Sequence, residues 1–145
     1  MSSALGAAHT RIEFMNTLAN FEPAGKRGFY RPIGAVTFEQ AVDMVAEAMR
    51  LARSLGMHDL LVNTTGLTGF QPPSIFARHA LAVKWAETAG PGLIVAMVAR
   101  PELIDPEKIG VLMAQNRGAS GDVFSTEAAA LAWLDARSGG SSAAP

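Results

Sequence analysis

Cysteine is absent from this 145-residue chain, which rules out disulfide scaffolds, thiolate zinc sites and cysteine nucleophiles. A chain without thiols suits a reducing compartment, and a cytoplasmic location is the matching expectation. Charge is sparse as well, with Asp, Glu, Lys and Arg at 17% and a formal net charge of −1. No block of Lys and Arg occurs, so a partner of nucleic-acid phosphates is not expected. The longest apolar run, Leu93 to Ala99, falls far short of the roughly 20 residues that span a bilayer. The opening MSSALGAAHTR lacks a basic start followed by a sustained apolar segment, so no signal peptide is expected. P-loop, dinucleotide fingerprint and nucleophile elbow are all missing. His9, His58 and His79 have no metal-ligand spacing, and neither a metal nor a cofactor is expected. No catalytic constellation assembles, so the chain does not read as an enzyme.

What is present points to a folded domain. Hydrophobic residues make up 49% of the chain, enough for one core in a length too short for two ordinary domains. Residues 1–10 and 138–145 read as flexible tails, leaving a domain over 11–137. A first strand is expected between Arg11 and Phe21, with Ile12, Phe14 and Leu18 on one side, and Pro23 and Gly25 ending it. Gly28 to Pro32 is a second strand, with Lys26 and Arg27 forming a solvated hairpin tip. Thr37 and Gln40 have the spacing of a capping box. Phe38, Ala41, Val42, Val45, Met49 and Ala52 then recur with helical period, and Gly56 suits a left-handed C-cap.

Leu60-Leu61-Val62 reads as a strand buried on both faces, followed by the polar, Gly-punctuated Asn63 to Gly69. A helix from about Pro73 to Ala89 should bury Ile75, Phe76, Ala82, Val83 and Ala86, with His79 inside that stripe. Leu81 and Trp85 form a smaller patch on another side. Leu93 to Ala99 is a second doubly buried strand. Asp105-Pro106-Glu107 resembles a capped helix start, with Ile109, Leu112 and Met113 inward and a stop near Gly118. Val123-Phe124 is a short strand, and a last helix over Ser125 to Arg137 packs through Ala130, Leu131 and Leu134. Alternating strands and helices imply crossovers. The expected fold is α/β, with a mainly parallel sheet, an antiparallel first strand and about four helices.

Three runs taken in order, LLVNTTGLTGF, VARPELIDPEKIGVLMAQNRG and VFSTEAAALAWL, resemble an uncharacterised bacterial STAS-like family. That family is related to the anti-sigma-factor antagonists and, more loosely, to CRAL-TRIO lipid-binding domains. The resemblance covers roughly Gly28 to Leu134 and implies a single STAS-like domain. It also implies a non-catalytic regulatory module whose partner is a protein, a kinase-like regulator in the antagonists. There the strand end reads Asp-Ser-Ser-Gly-Leu and carries a phosphorylated serine. Here Asn63-Thr64-Thr65-Gly66-Leu67 stands in that place, and Thr68 to Pro73 separates it from the helix.

Thr64 and Thr65 are accordingly the candidate phosphoacceptors, although hydrogen-bonding the turn is the commoner role of such residues. Asn63, Leu67, Phe70, Ser74, Arg78 and Arg100 make up the expected partner or ligand face, with the two arginines able to meet an anion. Leu81 and Trp85 are candidates for a contact between subunits of a homodimer, or for cover under the last helix. The alternative function is a small-molecule or lipid-binding domain, which requires an apolar cavity lined by residues such as Phe70, Ile75 and Phe76.

Overall fold

The chain's strand-forming runs pair into one main sheet in the computed structural model, which describes residues 18–143. Strand β1 (Phe21–Ala24) turns tightly into β2 (Arg27–Tyr30), and the two pair antiparallel, Phe21 opposite Tyr30. After β3 (Gly34–Ala35) and α1 (Phe38–Ser54) comes β4 (Asp59–Asn63), which lies parallel to β2. The chain continues through β5 (Leu67–Thr68), α2 (Ile75–Ala89), β6 (Ile94–Val98), a 3₁₀ turn at Pro101–Leu103, α3 (Ile109–Asn116), β7 (Ser120–Phe124) and α4 (Glu127–Ala143). The order β1-β2-β4-β6-β7 makes a five-stranded sheet, parallel from β2 onward. The α/β class and the antiparallel first pair are as expected.

From β2 to β7 every crossover advances the sheet in the same direction. Right-handed crossovers of that kind put their helices on one face, and α1, α2 and α3 share it. The other face is covered by α4. The strands alternate to match. Leu60, Val62 and Val95 join Val45, Met49 and Leu51 in one core cluster, while Leu61, Ala96 and Val98 join Ala130 and Leu134 in a second. Leu61 is 0% exposed, Val95 6% and Val98 1%, as strands buried on both faces require.

α1 forms where its cap places it. Thr37 accepts from the Gln40 N–H at 3.0 Å, and the Gln40 side chain accepts from the Thr37 N–H at 2.9 Å. Two donors that the first turn leaves unpaired are thereby satisfied. Gly56 has φ +70° beyond the C-terminus, the conformation that glycine adopts without a steric penalty.

Several local expectations are corrected. Residues 1–10 and most of the expected first strand, 11–17, lie outside the described residues. The strand found runs through Pro23 instead of ending there. At the sheet edge a proline need donate no ladder bond on its open side. Arg27 is no solvated tip: its side chain is 18% exposed and chelates Asp59, at 2.8 Å from Nε and 3.2 Å from Nη2. That hydrogen bond to Asp59 holds the guanidinium further above its ordinary value. Its Nη1 reaches Asp135 of α4 at 2.8 Å, and Ser138 donates to Asp59 at 3.0 Å. α4 extends through Ala143, beyond the expected end at Arg137. Asp105-Pro106-Glu107 forms a turn closed by Lys108 N–H to Asp105 O at 2.9 Å. The helix restarts one turn later, after Lys108 at φ +52°. Leu112 is 53% exposed instead of inward.

Candidate functional site

Between α1, α2, α3 and the sheet lies a chamber of about 200 Å³. Protein interiors pack densely and leave few voids larger than a water molecule, so an opening of this size calls for a cause. α2 supplies it. That helix packs on α1 and α3 far more than on any strand. Its inward residues Ala82, Ala86 and Ala89 are buried but small, so they close little of the space beneath it.

Specific bonds fix α2 at this height. The Trp85 indole Nε1 donates to Val42 O of α1 at 3.2 Å. Lys84 pairs with Asp43, and Arg53 donates to Thr88 O at 2.9 Å. Ser74 caps the helix by accepting from the Ala77 N–H at 3.1 Å. On the other side Arg78 Nη1 donates to Leu103 O at 3.3 Å.

The mouth is shaped by a two-stranded annex. β3 and β5 pair in parallel, with Val36 N–H donating to Thr68 O at 2.8 Å. Gly69 follows at φ +100°, where a Cβ would lie 2.7 Å from Val36 O, so only glycine fits the turn. The annex brings Phe70 edge-on to Phe38 at 6.0 Å between centroids. Both rings line the chamber, together with Val42, Val45, Met49 and Val95. Among the described residues, charge enters the lining only through Arg78, Asp105, Lys108 and Asp122. Lys108 and Asp122 neutralise each other at 2.8 Å.

The loop after β4 is a separate polar network. Asn63 Oδ1 accepts from the Thr65 N–H at 2.9 Å and its hydroxyl at 2.7 Å, while Asn63 Nδ2 donates to Glu127 at 2.8 Å. Arg31 grips the same carboxylate with two bonds, 2.7 and 3.0 Å. Its hydrogen bond, helped by that of Asn63, holds the Glu127 carboxyl below its usual value against an opposing desolvation. Thr64 Oγ1 donates to Val98 O at 2.9 Å. Both threonine hydroxyls therefore fasten the turn.

The residues singled out from the sequence thus part company. Thr64, Leu67, Phe70 and Arg78 line the chamber, and so do Leu81 and Trp85. The α2 face carrying Leu81 and Trp85 points inward, with Trp85 packed against α1 and not under the last helix. Ile75 and Phe76, expected in the buried stripe and around any cavity, are 68% and 89% exposed. His79 is exposed too, with Nδ1 at 3.1 Å from Met113 Sδ. Asn63 and Thr65 belong to the Glu127 network, and Ser74 is a cap. Arg100 is not part of the lining, and its Nε lies 3.7 Å from Glu102.

The wall formed by Met97, Val111, Ala114 and Gly121 escaped sequence reasoning altogether. One signal was present: Ala82, Ala86 and Ala89 recur at i, i+4 and i+7, the spacing of a small-residue face. Among the described residues no group of His, Asp or Glu is placed to hold a metal ion. No described helix is long and apolar enough to cross a membrane. No protein-family model matches the chain, and neither do the curated proteins or the solved structures searched.

Proposed function

We propose that this domain binds a small, largely apolar molecule in the chamber beneath α2. The observation that carries the reading is the chamber itself, about 200 Å³ bounded mainly by apolar side chains. Apolar pockets with a few placed polar groups are the usual form of small-molecule sites. Binding without turnover fits the chemistry of the lining. The Thr64 hydroxyl is directed at a backbone carbonyl and Lys108 at Asp122, so neither stands as a nucleophile beside a base.

The test is thermal unfolding with a graded series of uncharged hydrocarbon ligands. A molecule that binds only the folded state stabilises it by RT ln(1 + [L]/Kd), about 2.7 kcal/mol at one hundred times Kd. Ala86→Leu, which grows a side chain into the chamber, should abolish the shift while leaving the domain folded by circular dichroism. No saturable shift with any member of the series would refute the proposal.

A second reading is a protein partner docking on the 64–78 segment, as the STAS-like resemblance implies. It is favoured by Ile75 and Phe76, neighbours in the first turn of α2 that are both exposed. A kinase-like regulator acting there would find Thr65 the more exposed of the two threonines. Capture of a partner should then fall for Phe76→Ala and for Thr65→Glu. Equal capture by both variants and wild type counts against this face.

A further inference from the structure

We infer that the molecule held in the chamber is amphipathic and anionic, an aliphatic monocarboxylate whose head group meets Arg78. The inference rests on the chamber being a binding site and specifies its ligand. Arg78 is the cation of the lining that no acid neutralises. Among the described residues every ion pair involves Arg27, Arg31, Arg50, Lys84, Arg100 or Lys108, and none involves Arg78. One guanidinium nitrogen is engaged, Nη1 with Leu103 O at 3.3 Å. A guanidinium carries five N–H donors in a planar fork that matches a carboxylate. The bond to Leu103 O fixes the side chain and leaves the rest of that fork for a ligand.

The other charges of the lining have answers within the fold. Lys108 and Asp122 form their own pair at 2.8 Å. Asp105 Oδ1 accepts from the Glu107 N–H at 3.4 Å and belongs to its own turn. The lining thus offers a ligand an apolar hollow with the Arg78 guanidinium in its wall, and an aliphatic acid complements both parts. Its chain removes apolar surface from water beside Trp85 and Val95, and its carboxylate supplies the acid that Arg78 lacks.

The experiment is calorimetric titration of the full chain with octanoate, octanol and octylamine, which share a chain length and differ in head-group charge. Trp85 gives a second readout in a Trp133→Phe background, because Trp133 packs on Phe124 across the sheet at 5.7 Å. Octanoate should bind at least about tenfold tighter than octanol, the increment of a charge-assisted hydrogen bond, and octylamine more weakly than either. Arg78→Gln should bring the octanoate-to-octanol ratio close to one, and Arg78→Lys should keep part of it. Circular dichroism verifies that both variants are folded. Octanol or octylamine binding as tightly as octanoate overturns the carboxylate inference and leaves the chamber reading standing. An unchanged ratio in folded Arg78→Gln also overturns it. Saturable binding of none of the three, together with no thermal shift by hydrocarbons, removes the chamber reading itself.

Discussion

Replacing Arg27 by Met should destabilise the fold more than replacing Asp59 by Ala, although the two side chains share one ion pair. The asymmetry follows from what each change leaves behind. The Asp59 side chain is 3% exposed and the Arg27 side chain 18%. Without Arg27, a carboxylate shut away from water keeps one side-chain donor among those described, the Ser138 hydroxyl at 3.0 Å. Breaking a buried pair in this way costs about 3–5 kcal/mol. Without Asp59, the guanidinium still reaches Asp135 at 2.8 Å and some water, so the cost should be about 1–3 kcal/mol. Asp135 is 69% exposed, and its own bond to Arg27 adds little in either case. The double variant Arg27→Met with Asp59→Leu removes both charges and fills the space with apolar atoms. It should therefore lie well below the sum of the single changes. Urea denaturation of the four proteins at pH 7 provides the cycle, provided the m-values agree. An Asp59→Ala loss equal to that of Arg27→Met, or strict additivity in the double variant, would refute the reasoning.

Thr37→Ala removes one half of the α1 capping box and should cost about 0.5–2 kcal/mol in the same urea assay. Glu127 has a lowered pKa when folded, so its pairing with Arg31 contributes stability above the ordinary value of 4.5 and loses it as pH falls through the folded value. Wild type should therefore lose stability more steeply than Glu127→Gln on acidification below that point, and parallel pH profiles of the urea midpoint would contradict the assignment. Phe76→Ser changes a side chain that is 89% exposed and should move stability by no more than about 0.5 kcal/mol. A larger loss would place that ring inside the fold.

Elements whose signals are local were legible in the sequence. α1 combines a cap, a clean period and a glycine stop within one stretch, and its bounds follow. The buried strands around Leu61 and Val95 announce themselves through unbroken apolar runs. α2 was legible in part: Ala82 and Ala86 are buried as its period implies, but apolar residues occur around most of its circumference, and the large Ile75 and Phe76 draw the expected stripe onto its exposed first turn. Its direction is set by bonds that no period reveals, such as Trp85 Nε1 to Val42 O. The chamber was invisible for the same reason, since it depends on the height of α2 above the sheet. Asp105-Pro106-Glu107 carries cap chemistry, yet an Asp and a Pro also suit the tight turn that forms there. Asp59 and Arg27 lie 32 positions apart, so their union is a product of strand pairing alone.

The placement of three helices on one face has a consequence for the order in which the chain can fold. Synthesis delivers β2, β4, β6 and β7 before any part of α4 exists. Until then Leu61, Ala96 and Val98 form a bare apolar sheet face with no described helix to cover it. Native contacts that bind α4 home, such as Arg27 to Asp135 across 108 positions, close only after almost the whole domain has been made. Contacts of such long sequence separation slow folding, and exposed strands during that wait invite association between nascent chains. A chain halted before Glu127 should therefore be an aggregation-prone species, and its rescue by α4 supplied as a separate peptide would mark docking of that helix as the closing step of folding.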